Sequence, residues 1–145
     1  MKHREAKKED LPKIKEILAQ AGLPTEDCEA HVHDFLIMEK RSEIVAIGGL
    51  EICDKYGLVR SIVVIPKHRG QGIGEEVLAM LESKAISKGI DRLYLLTETA
   101  VEYFQSQGFK IIDRDQVPKN IANTRQFKEL CPSTAKVMYR SISRV

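Results

Sequence analysis

The sequence predicts an α/β domain with a mixed sheet, and three observations carry that prediction. An apolar run of strand-forming residues covers positions 58–65 and is ended by Pro66. An amphipathic helix follows over 71–88, and a second apolar strand, RLYLLT at 92–97, comes directly after that helix. Two strands that are joined through a helix lie parallel, whereas a short turn joins antiparallel strands. The sheet should therefore contain a parallel pair.

The N-terminal half is expected to add further elements before this central unit. Three strands and two helices are predicted there, the strands over 2–7, 35–40 and 43–53 and the helices over 10–21 and 25–33. The first helix has apolar residues at helical spacing, and Gly22 ends it. Arg41 and Ser42 turn the chain between the second and third strands, which makes that pair antiparallel. Gly48 and Gly49 mark a bulge or a close backbone contact in the third strand.

The C-terminal part continues the alternation of helices and strands. Helices are predicted over 99–108 and from 118 within the mixed segment 117–130, and strands over 109–113 and 135–143. Thr99 and Glu102 have the spacing of a capping box, so the helix over 99–108 should begin at Thr99. Four apolar residues of the central helix should face the core: Val77, Leu78, Leu81 and Ala85.

Composition and charge exclude several classes of function. The chain has 145 residues, of which 43% are hydrophobic and 30% charged, and this suits a single globular domain over 1–145. A net charge of +2 is too small to indicate nucleic acid or an anionic membrane as the main partner. No apolar run approaches the length of a membrane span, and the N-terminus lacks the apolar region of a signal peptide. A cytoplasmic location is therefore expected.

The cysteines and histidines do not suggest a metal site. Cys28, Cys53 and Cys131 lack metal-site spacing and cannot all pair with one another, so we expect reduced thiols. His31 and His33 would point to different faces of a helix, and together with Cys28 they lack a fourth ligand. No metal is predicted, and no histidine partner indicates Cys131 as a nucleophile.

The segment after the central strand predicts an anion-binding site. A basic turn at 67–69 leads into Gly70, Gly72 and Gly74, where the helix begins. Unpaired N–H groups and the dipole at a helix N-terminus bind phosphates, and glycine lets the backbone approach the anion. The two acids after Gly74 stand where a P-loop needs Lys-Ser or Lys-Thr, and the glycine spacing does not fit a dinucleotide-binding turn. The alternative is an ordinary strand-to-helix turn with glycines for tight packing.

The spacing does fit V-x-P-x-x-R-G-x-G-x-G, and here the sequence resembles the GCN5-related N-acetyltransferases over nearly its whole length. The resemblance implies a mostly antiparallel sheet with a central parallel strand pair, flanked by helices, and acetyl-CoA as the cofactor. It also implies that the backbone N–H of Val64 meets the oxyanion. The implied cofactor-binding residues are Ile62, Val63, Val64, Arg69, Gly70, Gln71, Gly72, Ile73, Gly74 and Glu75, together with Thr97 and Phe104.

The sequence departs from this family at the residue that protonates the coenzyme thiolate. Many members carry N-x-x-A-x-x-x-Y-x-x-x-G-F, and segment 97–109 aligns with that string so that Thr97 replaces the Asn and Phe104 replaces the Tyr. Tyr103 is a candidate acid, although a rotation of about 100° per residue should turn it to another side of the helix. Water is the other candidate, because a thiol with a pKa of about 8.5 leaves without much assistance.

Two glutamates are candidates for the base that takes the amine proton. Glu51 lies on the strand before the pyrophosphate strand, and Glu98 closes the RLYLLT strand. Glu98 also precedes a predicted helix, and the helix dipole favours an acidic residue there even without a catalytic role. Arg60 stands in a mostly apolar strand, where an arginine is unusual unless it meets a carboxylate or a phosphate-like anion. Arg60 is therefore a candidate for substrate binding, the alternative being a solvent-facing edge position.

Further segments narrow the resemblance to two branches of the family. RS at 60–61, LLTETA at 95–100, F-x-x-x-GF at 104–109 and LCP-S at 130–133 look most like N-acetyltransferases encoded in arsenic-resistance operons. The second and third of these segments are also similar to the acetyltransferase domain of bacterial N-acetylglutamate synthases. Both branches imply a small amino-acid-like acceptor with an α-amine and an acid group, acetylated by direct attack in a ternary complex. The family resemblance also allows a homodimer.

Two alternative functions stay open from the sequence. One is N-acetylation of protein N-termini, lysines or polyamines, although a polyamine would want an acidic cleft, against which Arg60 argues. The other is a non-catalytic sensor that binds acyl-CoA, and Phe104 at the usual Tyr position favours it.

Overall fold

The computed structural model describes residues 1–130 and 134–142, which form a seven-stranded sheet flanked by helices. The strands are β1 (Lys2–Glu5), β2 (Phe35–Lys40), β3 (Glu43–Cys53), β4 (Tyr56–Val64), β5 (Arg92–Thr97), β6 (Lys110–Ile112) and β7 (Lys136–Ser141). The α-helices are α1 (Leu11–Gln20), α2 (Ile73–Ser87), α3 (Val101–Ser106) and α4 (Lys119–Ala122). Short 3₁₀ turns cover Lys8–Asp10, Val32–Asp34, Pro66–His68 and Arg114–Gln116, and a π-helical turn covers Gln126–Leu130. Within these described residues, no helix has the length and apolar character needed to cross a bilayer.

The sheet has the mixed topology that the sequence predicts. Its strand order is β1-β2-β3-β4-β5-β7-β6, with β4 and β5 parallel and the other neighbours antiparallel. The parallel ladder pairs positions 56–58 with 92–94. Beyond these positions the two strands continue without pairing, and both line the same cavity. The central pair therefore opens into a cleft at its C-terminal end.

A β-bulge distorts β4 opposite the two glycines of β3. Ile47 pairs with Val63 and Gly49 pairs with Arg60, so one residue of β3 faces two residues of β4. Ser61 lies inside the bulge with φ 59°, in the left-handed region that residues other than glycine rarely adopt. The predicted irregularity is confirmed, with the extra residue on β4 rather than on β3.

Two apolar cores cover the central strands from opposite faces. On one face α2 buries the four residues that its spacing predicts: Val77, Leu78, Leu81 and Ala85. On the other face α1 buries three residues: Ile14, Ile17 and Leu18. A third cluster joins α4 to the strands through Leu58, Tyr94 and Ile121. Because packing covers both faces, a ligand reaches the cleft from the strand ends.

Gly48 is needed where α2 packs against β3. A Cβ at Gly48 would lie 2.5 Å from Cγ1 of Val77. We expect Gly48→Ala to lower the free energy of unfolding by about 1–3 kcal/mol, the usual cost of overpacking a core, as measured by urea unfolding. Combined with Val77→Ala, which removes the clashing methyl, it should cost less than the sum of the two single variants. Unchanged stability of Gly48→Ala alone would contradict this packing.

The predicted helix over 25–33 is wrong. This segment forms turns that lead into the 3₁₀ turn Val32–Asp34. Cys28 is fully buried and Asp27 is 3% exposed, so the segment is fixed by side chains that point into the protein. Tertiary contacts of this kind override a weak local preference for helix.

The predicted start of α3 at Thr99 is also wrong. The helix begins at Val101, and the capping box from Thr99 to Glu102 is absent. Instead, the hydroxyl of Thr97 accepts a hydrogen bond from the N–H of Ala100 at 3.0 Å. The last residue of β5 thus satisfies a backbone donor of the turn that leads into α3.

Candidate active site

The separation of β4 from β5 creates a cavity of about 490 Å³ at the C-terminal ends of both strands. The glycine-rich turn and the start of α2 form one end of it, α3 forms a side wall, and Leu23 beyond α1 contributes to the lining. Of the residues that the sequence assigns to the coenzyme, the cavity is lined by Ile62, Val63, Val64, Arg69, Gly70, Gly72, Ile73, Gly74, Glu75, Thr97 and Phe104. Gln71 is the predicted coenzyme residue that lies outside this lining.

The glycine-rich turn presents backbone rather than side chains to the cavity. Gly70 and Gly72 have φ of 80° and 76°, and a Cβ at either position would meet nothing within 4 Å. α2 begins at Ile73, so the N–H groups of its first turn have no partner within the helix. Nε of Arg69 donates to the carbonyl oxygen of Val64 at 3.2 Å and ties the turn to the end of β4. This end of the cavity is therefore suited to a phosphate.

The β4 bulge gives the middle of the cavity a strip of strand backbone. The residues of β4 after position 58 have no ladder partner on β5, and those from Val59 to Val64 line the cavity. An extended ligand with amide groups could add to this free edge as a strand would. The sequence identified the strand but gave no signal for the left-handed Ser61 that shapes it.

Both aromatic residues of α3 line the cavity. Tyr103 and Phe104 contact each other edge to face, with ring centroids 5.2 Å apart, and Phe104 also packs against Phe109. The expectation that Tyr103 faces elsewhere is wrong, because Tyr103 lines the cavity together with Phe104. A Cβ at Gly74 would lie 3.1 Å from the Tyr103 hydroxyl, which thus stands over the first turn of α2. Burial, together with the charge of Glu75, raises the pKa of Tyr103, so its hydroxyl stays protonated at neutral pH.

Arg60 lines the cavity but is paired within the protein. Its side chain is 1% exposed, and both terminal nitrogens donate to the carboxylate of Asp27, one of them at 2.7 Å. Burial alone would raise the pKa of Asp27, but the hydrogen bonds and charge of Arg60 outweigh burial and hold that pKa below its usual range. The alternative of a solvent-facing Arg60 is wrong. The carboxylate that an arginine in this strand requires is supplied by Asp27, 33 positions away in the sequence.

Glu51 lies one strand away from Arg60 and outside the cavity lining. Its Oε2 is buried and has no hydrogen-bond partner among the residues that the structure describes. Oε1 lies 3.8 Å from Nε2 of His31. Burial raises the pKa of Glu51, and the attraction of His31 and Arg60 offsets this only in part. A buried carboxylate with a raised pKa and an unused oxygen has the properties of a general base.

The second candidate base is placed differently. Glu98 is exposed at the end of β5 and accepts a hydrogen bond from the hydroxyl of Thr134 at 3.1 Å. Like Glu51, it is not among the residues that line the cavity. The structure therefore brings Glu51, rather than Glu98, close to Arg60.

The described cysteines are free thiols, as predicted. Cys28 is buried, and burial together with the charge of Glu51 raises the pKa of Cys53 to about 12. Neither thiol is therefore activated as a nucleophile at neutral pH. Cys131, for which a core or loop position is expected, lies outside the described residues.

The carboxylates of Asp27 and Glu51 and the imidazole of His31 form a cluster that the sequence did not reveal. One ligand atom from each lies within 4.8 Å of the others. Both oxygens of Asp27 already accept from Arg60, so that guanidinium supplies the positive charge that a bound cation would bring. Asp27 and His31 fall in the segment mistaken for a helix, which is why their convergence was missed.

Comparison with known proteins identifies the family to which the chain is similar. Residues 4–109 match the model of the Acetyltransferase (GNAT) family. The amino-acid acetyltransferase of Pseudomonas syringae pv. tomato is 29% identical over 102 residues, which cover 69% of this chain and 24% of that protein. The chain spans between 21% and 27% of the length of such curated relatives.

Solved structures share the fold over almost the whole chain. N-acetylglutamate synthase from Neisseria gonorrhoeae, complexed with coenzyme A and N-acetyl-glutamate, matches 99% of this chain and 35% of its own chain, with a TM-score of 0.86 and 24% identity. Rv2747 from Mycobacterium tuberculosis, also in complex with CoA, matches 99% of this chain and 100% of its own, with a TM-score of 0.83 and 20% identity. The family model covers well over half of the chain, and the fold agrees with it. This chain therefore belongs to the Acetyltransferase (GNAT) family.

Proposed function

We propose that the protein transfers an acetyl group from acetyl-CoA to the α-amine of a small amino acid or amino-acid-like acceptor. The observation that carries this proposal is the continuity of one cavity, which runs from the glycine-rich turn along the free edge of β4 to Arg60. A thioester bound along that path would have its acetyl group near the unpaired strand ends. The amino-acid acetyltransferases among the relatives support the class of acceptor.

The donor is proposed to bind through backbone groups. The turn from Arg69 to Glu75, which includes Gln71, would surround the pyrophosphate with N–H donors, and backbone groups of β4 from Ile62 to Val64 would pair with the pantetheine amides. The N–H of Val64 is the proposed donor to the oxyanion. Its carbonyl is already used by Arg69, which leaves the strand end fixed in position.

The chemistry is proposed to be direct attack of the amine on the thioester carbonyl. The acceptor ammonium first gives one proton to Glu51, directly or through one water. The amine nitrogen then forms a bond to the carbonyl carbon, the C–S bond breaks, and the nitrogen loses its second proton to water. The leaving thiolate takes a proton from water or from Tyr103. Because the pKa of Tyr103 is raised, its hydroxyl is a weak acid. We therefore favour a hydrogen bond from this hydroxyl to the thiolate or the coenzyme over complete transfer of its proton.

The acceptor end is shaped by the Arg60–Asp27 pair. The charge of Arg60 is balanced by Asp27, so an acidic acceptor would have to share the guanidinium with that carboxylate. We propose that Arg60 helps to position the acceptor through its remaining N–H groups, and that the pair keeps the guanidinium rigid. A small amino-acid-like acceptor with an α-amine and an acid group, which both branches imply, stays within this class.

A non-catalytic acyl-CoA sensor is the second candidate, and one observation favours it. Phe104 stands at the cavity wall where many members of the family have a proton-donating Tyr. Such a protein would bind the coenzyme through the same turn without releasing its thiol.

An acceptor panel tests the proposed function. Release of free thiol from acetyl-CoA is measured with α-amino acids of acidic, neutral and basic side chain, phosphinothricin-like compounds, polyamines and short peptides. We expect turnover with one or more α-amino acids or amino-acid-like compounds and at least tenfold lower kcat/KM with polyamines and peptides. Preference for polyamines or peptides would transfer the assignment to those acceptors, and tight coenzyme binding without any turnover would favour the sensor.

A further inference from the structure

A row of three side chains connects buried Glu51 to the protein surface. His31 lies between two carboxylates, with Nε2 3.8 Å from Oε1 of Glu51 and Nδ1 3.0 Å from Oδ2 of Asp34. Exposure increases outwards along the row, from 13% of the side chain at Glu51 to 26% at His31 and 29% at Asp34. The row therefore leads from a desolvated carboxylate to groups that exchange protons with water.

We propose that His31, held by Asp34, takes the proton that Glu51 receives from the acceptor amine and passes it to solvent. This inference rests on the proposed function. Glu51 accepts one proton from the ammonium, the resulting carboxylic acid gives it to Nε2 of His31, and the imidazolium releases one proton to water. Glu51 is then an ionised carboxylate again and His31 is neutral. If the released proton is the one on Nδ1, proton exchange of the imidazole with water restores the Nδ1–H form, and the chain of transfers returns to its starting state.

The geometry assigns distinct roles to the two nitrogens of His31. A carboxylate at 3.0 Å from Nδ1 favours the tautomer that carries its proton on Nδ1, because an ionised carboxylate can only accept. Nε2 is then unprotonated and faces Glu51. The gap of 3.8 Å is longer than a hydrogen bond, and a rotation of the glutamate or one bridging water would close it.

The other charged and titratable groups around Glu51 are less suited to the transfer. Asp27 and Arg60 satisfy each other on the buried side, where Arg60 engages both oxygens of Asp27. On β3 itself, the thiol of Cys53 has a pKa of about 12 and keeps its proton. Among the described residues that face Glu51, His31 is thus the base with both a contact to Glu51 and access to water. Asp34 is a positioning residue, since it reaches Glu51 through His31.

The kinetic test compares His31→Gln with His33→Gln, a matched control at an exposed histidine two positions away. We expect His31→Gln to lower kcat about 10- to 100-fold with the KM of the amine nearly unchanged, and added imidazole to restore much of kcat in a concentration-dependent way. Asp34→Asn should lower kcat less, and His33→Gln should not change it. A loss in His31→Gln that no added base restores would mean a structural role and would overturn the proposal, as would an unchanged kcat.

A second measurement does not depend on activity. Imidazole ¹⁵N shifts of the ¹⁵N-labelled protein should show His31 in the Nδ1–H tautomer, and Asp34→Asn should remove that preference. A dominant Nε2–H tautomer would contradict the relay even if the protein acetylates amines. If the tautomer is as expected but no amine is acetylated, the proposed function fails and the relay fails with it. Loss of activity on chelation that zinc restores would identify the cluster as a metal site and overturn the relay.

Discussion

Glu51→Gln is expected to lower kcat/KM for the amine by about 10²- to 10⁴-fold while leaving the affinity for acetyl-CoA unchanged. Glutamine keeps the size of the side chain and cannot accept the amine proton, and loss of a general base typically costs a factor of this order. Glu51 also lies outside the cavity lining, so the coenzyme should bind as before. Steady-state kinetics and calorimetric titration of coenzyme A measure the two quantities.

The same variant should be more stable than the wild type at neutral pH. Burial raises the pKa of Glu51 above its unfolded value, so between those two pKa values the folded state binds more protons than the unfolded state. Stability is then greatest below the unfolded pKa of Glu51 and falls as pH rises through the folded pKa. Glutamine removes this loss, and Tm at pH 7 should rise. A catalytic loss combined with a gain in stability is typical of a functional residue.

Glu43→Gln provides the control for Glu51→Gln. Glu43 begins the same strand with its side chain 71% exposed, and its ion pair with Lys67 is long, at 3.6 Å. An exposed pair of this kind contributes little, so both activity and Tm should stay close to wild type. Retention of activity within twofold in Glu51→Gln would exclude Glu51 as the base and return attention to Glu98 or water.

Gly72→Ala is expected to weaken coenzyme binding by at least about tenfold. The methyl group would project into open space where we propose that a phosphate binds, and φ of 76° is unfavourable for alanine. Weakening even one hydrogen bond to a charged group costs about 1.5–3 kcal/mol, which corresponds to roughly tenfold or more. Calorimetric titration with coenzyme A measures the effect.

Gly89→Ala separates lost binding from backbone strain. Gly89 follows α2 with φ of 79°, and it does not line the cavity. Gly72→Ala and Gly89→Ala should therefore lower Tm by a similar amount. Only Gly72→Ala should also reduce the affinity for coenzyme A. Equal affinities in the two variants would contradict the placement of the phosphate at this turn.

The parts of the fold that depend on local sequence were predictable. The glycines at 70, 72 and 74, the apolar run before them and the periodicity of α2 lie within one stretch of the chain, so their spacing predicted both the parallel strands and the turn that shapes the cavity. The apolar face of α2 followed from its period in the same way. These features need no information about distant residues.

The parts of the fold and of the site that depend on contacts between distant residues could not be predicted from the sequence. Arg60 was expected to need an anion, but its partner Asp27 lies 33 positions away in turns that lack a periodic pattern. The bulge at Ser61 depends on the pairing with β3, and the position of Tyr103 in the cavity lining depends on the packing of α3 beside Gly74. The approach of His31 to Glu51 joins positions that are 20 residues apart and needs the strand register as well.

Product formation tests the central claim most directly. One reaction containing acetyl-CoA and an α-amino acid from the panel is followed by thiol release and by mass spectrometry of the amino acid. We predict one N-acetylated amino acid for each thiol released, with both reduced together in Gly72→Ala at limiting coenzyme. Tight binding of acetyl-CoA without any acetylated α-amino acid, or amino-acid-like compound, across the panel would contradict the proposed function.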